Sequence, residues 1–165
     1  MRNGNFNCRW GEKIIVVDQA TDYDLKKQYD FKSIKIIKQY ADGLPLLLCD
    51  GAKIQQVLLN ILRNGAQAMQ TAKTEFPRFI IRIYKTKEPE MVCMEIEDNG
   101  PGIDEDTRSK VFDPFFTTKP VGIGTGLGLA VSYFIITNNH KGKIDVISEP
   151  GNGATFIIIV PIERD

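Results

Sequence analysis

Asp98 is the residue whose placement most needs a chemical explanation. It ends the run Met91-Val92-Cys93-Met94-Glu95-Ile96-Glu97-Asp98, and Asn99-Gly100-Pro101-Gly102 follows. With a period of two, Val92, Met94, Ile96 and Asp98 share one face of a strand, while Cys93, Glu95 and Glu97 share the other. Three apolar positions and then a carboxylate make an unusual buried face, because burying an unpaired Asp is costly. Gly100 and Gly102 give the backbone the freedom that a close ligand approach requires. The inference is a carboxylate at a strand end, aimed into a cleft and waiting for a donor. The competing explanation is a surface Asp-Asn-Gly-Pro-Gly turn with no ligand.

Two further groups of residues have chemistry to offer. Gln56, Asn60 and Asn64 stand at i, i+4 and i+8, which puts them on one face of a helix, beside its apolar stripe and bordering a cleft. A carboxamide oxygen is a hard, neutral ligand suited to Mg²⁺ that carries substrate phosphates. The alternative is a solvated polar face. Downstream, Phe112-Asp113-Pro114-Phe115-Phe116-Thr117-Thr118-Lys119 leads into Gly122-Ile123-Gly124-Thr125-Gly126-Leu127-Gly128-Leu129. Alternating glycines that open a helix can cradle phosphate with backbone N–H groups. Lys119 is the cation placed to reach the same space, and such a segment is expected to act as a mobile lid. A glycine-rich linker is the plain alternative. His140, the one histidine, has no acid beside it in sequence and fits a capping or loop-packing role.

Three nucleotide motifs are absent. The glycines after residue 121 fit no GxGxxG register, no GxxxxGK[ST] loop exists, and there is no HRD or DFG.

The elements that must position these residues are legible in outline. Residues 13–31 could hold a helix. Residues 33–40 have strand character, with lysines expected on the outer face. Residues 42–45 form a turn and 46–49 a short buried strand. Asp50 is suited to cap the strongest helix, over 52–72, whose apolar stripe is Ile54, Val57, Leu58, Ile61, Leu62 and Met69. Gly65 inside it costs on the order of 1 kcal/mol against Ala. Residues 78–85 and 91–97 form a hairpin, 104–111 a short helix, 127–138 a second apolar helix, and 142–148 and 154–162 the last strands. About five strands and three helices in mixed order argue for an α+β fold, with helices covering one face of a mostly antiparallel sheet.

At 165 residues one domain is the simplest organisation. Lys+Arg and Asp+Glu both number 21, so no basic footprint suggests nucleic acid. No apolar run approaches a membrane span, and no signal-peptide pattern opens the chain. Cys8, Cys49 and Cys93 form no CxxC pair, which fits reduced thiols in a soluble cytoplasmic domain.

Taken in order, these segments resemble the four boxes of the catalytic, ATP-binding domain of bacterial sensor histidine kinases, part of the wider group of gyrase, Hsp90 and MutL ATPases. Residues 56–64 are similar to the N box, 98–102 to the first glycine box, 112–116 to the F box and 124–129 to the second glycine box. Residues 150–156 are similar to the closing turn and last strand. The resemblance covers roughly residues 33–162. It implies a two-layer α/β sandwich of the Bergerat type with ATP between sheet and helices. By the same resemblance Asp98 accepts the adenine amino group, beside Gly100, with Gly102 letting the backbone approach the base. Asn64, and with it Asn60, would hold Mg²⁺ bridging the phosphates. Phe116, Thr118, Lys119, Gly122, Gly124, Thr125, Gly126, Leu127 and Gly128 would form the ATP lid, with Asn60, Asn64 and Lys119 as the catalytic set. Gly65, where many relatives carry Ala, and Ala154, where many carry a hydroxyl residue, depart from the family pattern.

Family members that hydrolyse ATP place a Glu at the position of Asn60. An amide is no base near neutral pH, which favours a kinase half-enzyme over a gyrase- or Hsp90-like ATPase; a regulatory nucleotide-binding module is a further alternative. The resemblance implies that the accepting His lies on a separate helical dimerisation hairpin, with a response regulator as indirect partner. Residues 1–12 would be the linker to that hairpin and 13–165 the catalytic domain, monomeric on its own, within a parent protein that could be membrane-anchored.

Overall fold

The strand that carries Asp98 is the central strand of the main sheet, paired antiparallel with a neighbour on either side. The computed structural model describes residues 7–8, 15–18, 20–21, 33–45, 47–87, 90–120 and 124–162. In order they form β1 (Asn7–Cys8), α1 (Ile15–Asp18), β2 (Lys35–Tyr40), β3 (Leu47–Leu48), α2 (Gly51–Thr71), β4 (Arg78–Lys85) and β5 (Met91–Asp98). Then come α3 (Glu105–Arg108), α4 (Gly128–Phe134) with a π-helical turn Ile135–Asn139, β6 (Lys143–Ser148) and β7 (Ala154–Pro161). The main sheet runs β2-β4-β5-β7-β6, parallel only at β2·β4. β1 and β3 make a separate antiparallel ribbon, so two residues of the stretch expected as linker pair with Leu47 and Leu48.

The period-two reading of β5 holds. Val92, Met94, Ile96 and Asp98 are buried on the same side as Phe79, Ile81 and Ile83 of β4 and Phe156, Ile158 and Val160 of β7. Against this face lies α2, whose Ile54, Val57, Leu58, Ile61, Leu62 and Met69 are all buried as the stripe predicts. The result is a two-layer α+β sandwich. Asp50 caps α2 through its side chain, which accepts from the Lys53 N–H at 3.3 Å. His140 does cap and pack a loop. Its Nε2 accepts from the Asp50 backbone N–H at 3.1 Å and its Nδ1 lies 2.9 Å from the Ile135 carbonyl, tying the start of α2 to the end of the α4 helix.

One expectation fails on β2. Lys35 and Lys38 are an odd number of residues apart, so the pleat sends them to opposite faces. Lys35 is exposed. Lys38 turns to the helix side, where its Nζ donates to Asp18 Oδ1 at 2.6 Å. An inward charge on an edge strand discourages a further strand from adding there. Of the helix expected over 13–31, Ile15–Asp18 is helical, and most of the rest lies outside the described residues.

Gly65 lies where α2 comes closest to the sheet. A Cβ on it would stand 2.8 Å from Phe79 Cε1, 3.0 Å from Cζ and 3.2 Å from Asp98 Oδ2. Phe79 is fully buried and cannot swing away cheaply. Ala would gain about 1 kcal/mol of helix propensity and lose about 1–3 kcal/mol to overpacking. We expect Gly65→Ala to destabilise the chain by about 1 kcal/mol in urea denaturation, and the penalty to vanish in a Phe79→Leu background. An equal penalty in both backgrounds would clear Phe79 as the limiting neighbour.

Candidate nucleotide-binding site

Asp98 closes β5 with 8% of its surface exposed. Its Oδ1 accepts from the Gly100 N–H at 2.8 Å and from the Ala154 N–H at 3.3 Å. Burial pushes the carboxyl above the ordinary Asp range, and the two backbone bonds pull it part of the way back. Oδ2 faces α2 beside Gly65 and has no hydrogen bond among the described residues. One oxygen is therefore spent on fixing the carboxylate, and the other is left to meet a donor.

The loop after Asp98 is clamped to the β6–β7 turn. Gly102 has φ +75°, and a Cβ there would fall 2.0 Å from the Glu149 carbonyl oxygen; Gly153, at φ +70°, is as close to the Asp98 carbonyl. The Gly151 N–H donates to the Pro101 carbonyl at 2.7 Å and the Ile103 N–H to Ser148 Oγ at 2.8 Å. The Ser148 hydroxyl in turn donates to the Gly153 carbonyl at 2.6 Å. What crowds Gly102 is thus the neighbouring turn. Ala154 reaches Asp98 through its backbone.

On α2, Gln56 is exposed and takes no part. Asn60 points its Nδ2 at α4, donating to the Gly128 carbonyl at 2.9 Å and to Ser132 Oγ at 3.1 Å. Its Oδ1 makes no hydrogen bond among the described residues. Asn64 Oδ1 accepts from Lys119 Nζ at 3.1 Å, and Gln67 Oε1 accepts from the same nitrogen at 2.5 Å. Burial, and secondarily the charge of Arg63, lower the Lys119 pKa. Two neutral carboxamide oxygens suit a Mg²⁺ that brings phosphate ligands with it. Among the described residues no group of three or more His, Cys, Asp and Glu could hold a metal by itself.

The segment between α3 and α4 is anchored at Phe112, whose ring meets Phe156 edge-on at 6.3 Å and Tyr133 at 5.6 Å. Phe115 takes the left-handed conformation (φ +66°) with its ring exposed, and its N–H donates to the Gly126 carbonyl at 2.9 Å. Phe116 is half-buried, and Thr118, Thr125 and Leu127 are exposed. Gly124 packs near Thr117 and Lys119, Gly126 against the Phe115 carbonyl and Gly128 near Asn60. Gly122 lies outside the described residues.

The structure therefore brings Asn64 to Lys119, Asn60 to Gly128, and Asp98 to Gly100 and Gly65. Sequence reasoning missed Gln67 and Ser132. Gln67 could have been found from its i+3 spacing to Asn64, which places both on one helix face.

The sequence pattern of the histidine kinase-, DNA gyrase B- and HSP90-like ATPase family matches residues 49–164, and the chain belongs to that family. It is 43% identical over 158 residues to the signal transduction histidine-protein kinase AtoS of Escherichia coli strain K12, covering 96% of this chain and 23% of AtoS. It is 37% identical over 141 residues to the sensory histidine kinase/phosphatase NtrB of Vibrio alginolyticus, covering 81% of this chain and 39% of NtrB. The chain thus spans less than half of either relative. The catalytic domain of histidine kinase ThkA in a nucleotide-free form superposes with a TM-score of 0.73 at 28% identity, over 90% of this chain and 91% of that one. Full-length ShkA in complex with AMPPNP superposes at 0.74 with 26% identity, over 91% of this chain and 30% of ShkA. The fold is that of the ATP-binding catalytic domains of sensor histidine kinases. No helix among the described residues is long and apolar enough to cross a membrane.

The buried carboxylate has a thermodynamic signature. Its folded-state pKa is raised, so the ionised form costs stability at neutral pH, and that cost is recovered as pH falls through the raised value toward the unfolded one. Asp98→Asn keeps an acceptor for Gly100 and Ala154 and removes the charge. We expect the variant to melt at or above the wild-type temperature near about pH 7, with the gap closing by about pH 4. A variant that melts clearly lower near neutrality would contradict this account of the site.

Proposed function

We propose that this chain binds Mg-ATP between α2 and the β5 end and donates the γ-phosphoryl group to a histidine on a separate helical hairpin domain. The observation that carries the reading is Asp98: a dehydrated carboxylate with one oxygen fixed by backbone N–H groups and the other open toward a donor such as the adenine amino group. Asn64, with Asn60, would hold Mg²⁺, which neutralises phosphate charge during transfer. Phe116, Thr118, Lys119 and the run Gly124, Thr125, Gly126, Leu127 and Gly128 would close over the phosphates, with Lys119 supplying the cation. The sensor-kinase relatives support this assignment, and by the same reading the parent protein acts on a response regulator.

Asn60 favours transfer over hydrolysis. The base position of hydrolysing relatives holds an amide whose nitrogen is committed to Gly128 and Ser132, so the side chain cannot take a proton from water. Positioning and charge neutralisation suffice for phosphoryl transfer when the acceptor's own domain supplies the base. His140 is no candidate acceptor, since both ring nitrogens are engaged. A regulatory module without transfer activity would need the same pocket. Restored transfer on adding the hairpin in trans distinguishes the two.

A phosphorus NMR time course with near-stoichiometric protein tests this reading. We expect broadened Mg-ATP resonances, almost no inorganic phosphate over hours, and no phosphate on His140. In Asp98→Asn the affinity should fall at least about tenfold, the value of one hydrogen bond to a charged group. Steady phosphate release abolished by that substitution would mean an ATPase, and sharp ATP lines would sink both readings.

A further inference from the structure

Lys119 is held in an uncommon way. Its Nζ is shared by the carboxamide oxygens of Asn64 and Gln67, one turn apart on α2 and converging on a single nitrogen. Among the described residues no carboxylate comes within ion-pair distance of it. The charge that acts on it is the like charge of Arg63, and the side chain is partly buried. The backbone around it is organised as well: the Lys119 N–H donates to Thr117 Oγ1 at 3.1 Å, and Gly124 packs on the lysine stem. Neutral oxygens hold an ammonium less tightly than carboxylates or phosphates do. The lysine therefore ties residues 117–119 to α2 through contacts that an anion can outcompete.

We propose that Asn64 and Gln67 form a latch that holds the Lys119 ammonium in place of a metal ion when no nucleotide is bound, and that Mg-nucleotide must displace it. This rests on the assignment of Asn64 to the metal. An oxygen that coordinates Mg²⁺ has that ion's charge against it and cannot keep an ammonium at hydrogen-bond distance. Arrival of the metal at Asn64 therefore expels Lys119, and the phosphates that arrive with the metal give the ammonium a better partner. The apparent affinity is the intrinsic affinity reduced by the fraction of chains with the latch open. Gln67 contributes to the closed state alone, which makes it the adjustable part: altering it changes the latch without touching the metal ligand.

Hydrogen exchange read by mass spectrometry, with Mg-AMPPNP titrated in parallel, tests the latch with two variants. Gln67→Leu removes one acceptor. In the nucleotide-free chain the amides of residues 113–120 should exchange roughly five- to tenfold faster, while those of residues 54–62 stay unchanged. Mg-AMPPNP should bind roughly three- to tenfold more tightly to it. Gln67→Glu turns the acceptor into a carboxylate and should do the reverse, slowing exchange and weakening binding. Unchanged exchange at 113–120 in both variants overturns the latch. So does weaker nucleotide binding by Gln67→Leu or tighter binding by Gln67→Glu, because either places Gln67 in the loaded site. If the wild-type chain fails to bind Mg-AMPPNP at all, the functional reading falls, while exchange in the nucleotide-free chain still decides whether the latch exists.

Discussion

The close approach of α2 to the β5 end, made possible by the missing side chain at Gly65, is the constraint on which the rest of the site depends. With no Cβ in the way, the helix settles directly onto the Phe79 ring and beside Asp98 Oδ2. That contact dehydrates the carboxylate and fixes how far Asn64 stands from the sheet. Asn64 and Gly65 are consecutive, so one turn of helix faces both Lys119 and the strand-end carboxylate. A larger residue would lift the helix and move both partners together. Gly65 does cost helix propensity, as its type demands, but the cost is incurred where it gives the tightest layer contact.

Asp98 shows how a site can be made rigid without side-chain partners. Its fixed oxygen is held by two backbone N–H groups, one from its own turn and one from the start of β7. Backbone donors carry no rotamer entropy of their own, so the carboxylate is preorganised at little cost beyond the turn itself. The turn is in turn locked by the facing turn, where the carbonyls of Glu149 and Asp98 stand where side chains on Gly102 and Gly153 would be. This explains why Ala154 is compatible with the site: the bond to Asp98 comes from the main chain, and the methyl group is simply buried.

Much of this was legible because the governing patterns are local. The alternation along β5 and the stripe on α2 follow from period alone, and the structure buries every residue they select. The odd spacing of Lys35 and Lys38 carried the same kind of information, and strict application of the pleat separates them. What stayed hidden depends on partners distant in sequence. Asn60 and Asn64 look equivalent at i and i+4, yet one turns to α4 and the other to Lys119, and only the packing of α4 decides this. Gln67 carried no motif at all. The π-helical turn that ends the α4 helix is equally invisible in composition, since its job is to bring His140 to the Asp50 N–H at the start of α2.

On the proposed reading, the distribution of polar groups suits a kinase better than a self-contained hydrolase. Of the site residues on or against α2, Asn60, Asn64 and Gln67 are neutral amides and Lys119 is a cation, while the carboxylate, Asp98, faces the strand end beside Gly65. On that reading the site would bind a nucleotide and neutralise its phosphates, while the amide at Asn60 would give water no base there. Stabilising charge without supplying a nucleophile keeps the bound nucleotide intact until an acceptor arrives from elsewhere. The neutral carboxamide at Asn60 then carries a functional consequence on that reading as well as a structural one. It braces α4 through its nitrogen and, on the proposed reading, would leave water beside the phosphoryl donor without a base.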